Sequence, residues 1–284
     1  MPDVLIFEMG PRDGLQNEKR MIPAADKIRL VDMLSACGFQ KIETASFVSP
    51  RWVPQMADGA EVMAGIARRP GVRYTALAPN MKGYEAAKAA RADEVAVFAS
   101  ASEGFSHKNI NASVAESIER FKPIIAAAKA DGIPVRGYVS CVTDCPYDGK
   151  VAPAAVAAVA EILAAEGCYE ISLGDTIGAG TPESVDAMLA AVTAAVPASM
   201  LAGHFHDTGG RALENIAASL DRGLRVFDAS VGGLGGCPYA PGAKGNVATE
   251  AVARLMAAHG LSTGLDMELL AEAAAFAKTL REGD

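Results

Sequence analysis

Two of the four histidines in this 284-residue chain fall within three positions of each other, at His204-x-His206. On an extended strand, side chains at i and i+2 share a face about 6.6 Å apart. Two imidazoles so placed converge on one point, either as a hydrogen-bonded pair at a rim or as two nitrogen ligands of one cation. A carboxylate-rich first loop, Arg12-Asp13-Gly14-Leu15-Gln16-Asn17-Glu18, favours the cation. Nitrogen and oxygen donors without thiolate suit Mg²⁺, Mn²⁺ or another octahedral divalent ion better than a structural zinc site. In that loop Gly10-Pro11 and Gly14 bracket Arg12-Asp13. A tight turn straight out of a strand is expected to aim the pair inward rather than leave it on the surface.

Cys237 stands in Gly-Gly-Leu-Gly-Gly-Cys-Pro-Tyr, a loop with almost no apolar side chains to pack against it, and Asn246 follows shortly after. The expectation is a mobile lid carrying a proton-transfer thiol. The segment lacks both GxxxxGK[ST] and GxGxxG, so it is not a phosphate loop. Cys37 and Cys168 read as buried spectators, and Cys141-x3-Cys145 as structural. Lys19, Lys82 and Lys108 are candidates for an anionic ligand, although each taken singly reads as a solvated surface lysine.

These residues need a frame. Short runs rich in Val, Ile, Phe and Ser lie at Val4–Met9, Lys41–Phe47, Val72–Ala78, Glu94–Ser100, Val135–Val142, Glu170–Asp175, Met200–His206 and Arg225–Val231. Mostly unalternating, they read as strands of a parallel sheet covered on both faces. Amphipathic segments fall between them. One follows Pro23 and ends at Gly38; one opens at the capping box Ser113-x-x-Glu116 and is expected to kink at Pro123; one opens at Thr181-Pro182-Glu183. Eight strands alternating with about eight helices predict an α/β fold, a (β/α)8 TIM barrel, with a doubly wound open sheet as the alternative. The barrel is expected over about 4–260, with a short helical tail (Asp266–Leu280) over about 261–284, as a single catalytic domain of residues 1–284. Active-site residues then belong at C-terminal strand ends. Arg12-Asp13 after the first strand, Glu43 in the second, Asp175 ending the sixth and His204-x-His206 ending the seventh obey that rule.

Composition limits the partners. Thirty-four acidic against 26 basic side chains give a net charge of −8, which argues against nucleic acid or an anionic membrane surface. No apolar run reaches the ~18 residues of a bilayer-spanning helix. The N-terminus has neither a secretion signal nor a transit peptide pattern. Five cysteines in so long a chain read as reduced thiols, so a cytoplasmic location is expected. Alanine-rich faces around Ala152–Ala165 suit a homodimer contact.

Six stretches carry a resemblance. They are Arg12–Glu18, Ser46-Phe47-Val48-Ser49-Pro50-x-Trp52-Val53-Pro54-Gln55-Met56, Arg136-Gly137-Tyr138-Val139-Ser140-Cys141, Ser172–Gly178, Gly203-His204-x-His206-Asp207-Thr208 and Gly233–Tyr239. Together, from Glu8 to Gly264, the chain resembles the 3-hydroxy-3-methylglutaryl-CoA (HMG-CoA) lyases. Phe205, Gly209-Gly210 and Thr143-Asp144 depart from that pattern, and the last bears on how the CoA arm is held. The resemblance implies cleavage of HMG-CoA to acetyl-CoA and acetoacetate in leucine breakdown, with an acyl-CoA as the small-molecule partner. It implies Asp13, His204, His206 and Asn246 as ligands of Mg²⁺ or Mn²⁺, Arg12 as the substrate contact and Cys237 as the active-site thiol. In a retro-Claisen cleavage Arg12 is then expected to stabilise the enolate oxygen and Cys237 to protonate its carbon, with Glu43 and Asp175 orienting Arg12 or metal-bound water. The first base stays open between a site histidine and Asp13. The nearest rivals are a lyase for a related 3-hydroxyacyl-CoA and a Claisen synthase of the isopropylmalate or homocitrate kind. Synthases carry further domains after the barrel, for which 284 residues are expected to leave no room.

Overall fold

In the computed structural model, which describes residues 2–235 and 245–281, eight parallel strands close into a barrel. They are β1 (Leu5–Glu8), β2 (Lys41–Ser46), β3 (Arg73–Leu77), β4 (Glu94–Ser100), β5 (Val135–Ser140), β6 (Glu170–Asp175), β7 (Leu201–Phe205) and β8 (Val226–Ala229). Each pairs with its neighbours in sequence, and β1 pairs with both β2 and β8 to close the ring. Closure, which no strand pattern reveals, rules out the open sheet. A bulge between Glu43 and Ala45 shifts the β2–β3 register and re-aims the end of β2.

Helices α1 (Ala24–Ala36), α2 (Gly59–Gly65), α3 (Met81–Ala89), α4 (Glu103–Ile110), α5 (Val114–Asp131), α6 (Pro153–Glu166), α7 (Pro182–Thr193), α8 (Ala212–Asp221), α9 (Thr249–Ala258) and α10 (Met267–Arg281) accompany the strands. The capping box at Ser113 and Glu116 forms, as does one at Thr181 and Ser184. Pro123 lies inside α5, which is assigned as one helix through it. The observed strands stop short of the expected ones. Met200 closes a 3₁₀ turn, and His206 lies one residue beyond β7, bridged in antiparallel fashion to Asn246. A small hairpin, Asp144–Cys145 with Gly149–Lys150, was not legible at two residues per strand.

The main core lies between sheet and helices, built from residues such as Leu30, Leu34, Val97, Ile171, Phe205 and Phe227. A separate cluster of Phe7, Met9, Leu77, Ala96 and Tyr138 meets the charged groups of Arg136 and Lys41 and so fills the barrel interior. α10 packs its buried Ala273, Ala274 and Ala277 against α1 and the turn Val231–Gly233. That turn leads into 236–244.

Candidate active site

A cavity of about 770 Å³ opens at the C-terminal ends of the strands. It runs from buried Arg12 and Tyr138 and the two histidines out to exposed Trp52, Lys108 and Arg120. Of the three lysines considered above, Lys108 is the one that lines it.

β1 delivers its loop through a π-helical turn, Gly10–Gly14, in which the amides of Asp13 and Gly14 both donate to the Met9 carbonyl. Close packing explains the two glycines. A Cβ at Gly10 would stand 2.7 Å from Glu8 Oε1, and one at Gly14 2.7 Å from both Leu234 Cβ and Ser230 Oγ. The turn therefore lies directly against the segment after β8. From it Arg12, 6% exposed, donates through Nη1 to Asp13 Oδ1 at 2.6 Å and through Nε to Glu43 Oε2. Glu43 is fully buried, and Tyr138 donates to its other oxygen at 3.1 Å. Burial pushes the Glu43 carboxyl up against the pull of Arg12, while Glu43 and Asp13 overcome burial to hold the Arg12 guanidinium firmly charged.

Asp13, His204 and His206 each present a ligand atom within 4.8 Å of the others. His204 Nε2 and His206 Nε2 face each other at 3.3 Å, and His204 Nδ1 is 3.1 Å from Asp228 Oδ2. Asn246 donates to Asp13 Oδ2 at 2.8 Å. Burial and the neighbouring His204 push the His206 imidazole down to about 4, so it is neutral at pH 7. Burial opposes ionisation of Asp13, but Arg12 and the two imidazoles outweigh it and hold the carboxyl at about 2. His204 titrates above its ordinary value, because Asp228 and Asp13 outweigh burial.

This donor set fits a divalent cation. Two imidazole nitrogens that face each other share at most one proton, and an ionised carboxylate completes the group. Nitrogen and oxygen donors are what such an ion takes.

Not every expected residue joins this group. Asp175 is buried away from Arg12 and the histidines' bonds. It accepts from Thr143 Oγ1 at 3.0 Å and from the Gly180 amide at 2.9 Å, so it braces the turn after β6. Cys237 and the rest of 236–244 lie outside the described residues. Cys37, Cys141, Cys145 and Cys168 are all buried, as structural thiols should be. Phe205 joins the core between sheet and helices, away from the imidazoles flanking it. Tyr138, Arg136 and Asp228 were missed by the sequence reading, although a charged side chain inside a strand covered on both faces is itself a signal.

A family model described as HMGL-like matches residues 3–277. A curated relative from Pseudomonas aeruginosa, named 3-hydroxy-3-isohexenylglutaryl-CoA/hydroxy-methylglutaryl-CoA lyase, is 60% identical over 270 residues, covering 95% of this chain and 90% of that protein. The crystal structure of the HMG-CoA lyase from Brucella melitensis matches with a TM-score of 0.99 at 64% identity, covering 100% of both chains. An HMG-CoA lyase from A. baumannii, solved in complex with coenzyme A and 3-methylmalate, matches with a TM-score of 0.93 at 36% identity over 99% of this chain and 92% of that one. On this similarity along nearly its whole length, the chain belongs to the HMGL-like family.

Proposed function

We propose that this protein is a carbon–carbon lyase that cleaves HMG-CoA to acetyl-CoA and acetoacetate with the help of Mg²⁺ or Mn²⁺. The observation that carries the reading is the convergence of Asp13, His204 and His206 beside a pinned Arg12 in the cavity at the strand ends. Similarity to lyases named for this substrate supports it and does not favour a Claisen synthase.

Asp13, His204, His206 and Asn246 are the residues that would hold the ion. When bound, it supplies Lewis acidity and a fixed template for substrate oxygens. The chain's own groups do the rest. A base of the site, one of the histidines or Asp13, takes the proton of the C3 hydroxyl, the oxygen electrons form the ketone of acetoacetate, and the C2–C3 bonding pair leaves as the enolate of acetyl-CoA. Arg12, held by Glu43 and Asp13, aims a permanent positive charge at the thioester oxygen where that negative charge develops. Cys237 then gives its proton to the enolate carbon, for which a thiol mostly protonated at neutral pH is suited. Exposed Lys108 and Arg120 at the cavity's edge offer positive charge to the polyanionic CoA arm.

On the same reading, residues 1–284 act as one catalytic unit in a reducing cytoplasm, where Cys237 stays a thiol. The exposed small face of α6 (Ala154, Ala158, Ile162, Ala165) supports a homodimer, which light scattering would detect as twice the 29.3 kDa chain mass. The functional test is metal-dependent release of acetoacetate. Activity should vanish in EDTA, return with Mg²⁺ or Mn²⁺, and lose its response to added metal in Asp13→Ala and His204→Ala. Undiminished turnover in EDTA would refute the metal site. Longer-chain 3-hydroxyacyl-CoA esters assayed alongside would set the substrate range.

A further inference from the structure

Beneath the cavity, in the barrel interior, lies a set of charged side chains that the proposed chemistry does not use. Arg136, on β5, is 1% exposed. Its Nη2 donates to Asp228 Oδ1 at 2.7 Å, its Nη1 to Asp228 Oδ2 and to Tyr138 Oη at 3.0 Å each, and its Nε to Glu170 Oε1 at 2.7 Å. The guanidinium lies over the Phe7 ring at 4.4 Å. Asp228, on β8, also accepts from Ser172 Oγ at 2.7 Å and faces His204 Nδ1 at 3.1 Å. Tyr138 passes its proton bond on to Glu43, which holds Arg12. One buried guanidinium thus anchors two chains of bonds, one ending at His204 and the other at Arg12.

We propose that Asp228, locked by Arg136 and Ser172, is a positioning residue that keeps the proton of His204 on Nδ1 and turns the Nε2 lone pair toward the cation site, while Tyr138 carries the same anchorage through Glu43 to Arg12. This rests on the reading that Asp13 and the two histidines hold a divalent ion. The Asp228 carboxylate already accepts three donated bonds from Arg136 and Ser172, so it has no proton of its own to offer His204. The proton between them must come from the imidazole. A ligating histidine whose other nitrogen donates to a carboxylate is fixed in tautomer and ring orientation and made more basic. Stability alone does not explain the arrangement, because a buried ion pair is often no more stabilising than apolar packing of the same volume.

The two arms predict different losses. Asp228→Asn keeps the shape but removes the charge and leaves one acceptor oxygen, so either Arg136 Nη2 or the groups that share Oδ2, His204 among them, meet an N–H instead. Mn²⁺ affinity, read from the electron paramagnetic resonance signal of free Mn²⁺, should fall about 10- to 100-fold. Tyr138→Phe should lower kcat with a much smaller loss of Mn²⁺ affinity than Asp228→Asn, because it loosens Glu43 and Arg12 but leaves the Asp228–His204 pair in place. In the Mg²⁺-loaded wild-type protein, ¹⁵N imidazole spectra should find the His204 proton on Nδ1. With four histidines in the chain, assignment by single substitutions is direct. A folded Asp228→Asn protein that binds Mn²⁺ as tightly as wild type would overturn the proposal. So would a proton on His204 Nε2, a result that stands even if the variant does not fold. Wild-type protein that binds no Mn²⁺ at all would instead sink the metal reading on which this inference rests.

Discussion

Substituting Glu8 should change how stability depends on pH, in a direction the structure fixes. Glu8 ends β1 and is fully buried. Its Oε1 accepts from the amides of Gly10 at 2.8 Å and Val231 at 2.9 Å, and its Oε2 from Thr249 Oγ1 at 2.7 Å. One carboxyl therefore ties together the start of the Arg12-Asp13 turn, the segment leading into 236–244 and the first residue of α9, just after Asn246. Burial outweighs these donors and pushes it from 4.5 up to about 7. A folded-state value above the unfolded one means the folded protein binds the extra proton. The associated stability is fully present below about 4.5, is lost as pH rises through about 7, and is constant above that. At about 1.4 kcal/mol per tenfold change in proton affinity, the full swing is about 3 kcal/mol. Urea unfolding of wild type and Glu8→Gln in EDTA, from about pH 4 to about pH 8.5, isolates it, since the glutamine keeps an acceptor for Gly10 and Val231 but cannot ionise. Wild-type stability relative to the variant should fall by about 3 kcal/mol across that window. A difference that stays flat to within ~0.5 kcal/mol, or one that rises with pH, would refute the reasoning.

Cys237→Ala should lose on the order of 10² to 10⁴ in kcat while still binding Mn²⁺ and substrate, which steady-state kinetics and metal titration would separate. Wild-type turnover from that variant removes the thiol from the mechanism. Glu43→Gln leaves the buried Arg12 guanidinium without its interior partner, so unfolding free energy should drop by about 3 kcal/mol and kcat with it. Unchanged denaturation and kinetics would contradict the pairing. Gly14→Ala adds a methyl 2.7 Å from Leu234 Cβ and Ser230 Oγ, and should cost about 1–3 kcal/mol and displace the turn bearing Arg12 and Asp13. An alanine variant with full stability and activity would show that the segment after β8 yields freely.

Much of the site was legible because its signals are local. Histidine is scarce, so two at i and i+2 near a strand end stood out, and the glycines flanking Arg12-Asp13 announced a turn that packing does require. The alternation of strand and helix followed from repetition of one unit, whereas closure of the sheet did not. The strand expected over Met200–His206 was overrun by one residue at each end, because residue type does not mark where a ladder of hydrogen bonds stops. Asp175 occupies a strand end like the candidate ligands, yet its carboxyl serves Thr143 and Gly180; position at a rim does not say which loop a side chain will hold. Arg136 and Asp228 are 92 residues apart and meet only because the barrel closes. Nothing local announces a pair made across an enclosed interior, although a charged residue inside each of two buried strands hints that a partner exists.

A metal-assisted cleavage of HMG-CoA passes through the enolate of acetyl-CoA. Proton NMR of HMG-CoA incubated with the purified protein and Mg²⁺ in D₂O tests it most directly. Acetoacetate and acetyl-CoA should form in equal amounts, the acetyl methyl carrying one deuterium where the enolate carbon was protonated. Intact HMG-CoA, or release of free CoA by thioester hydrolysis without acetoacetate, would contradict it.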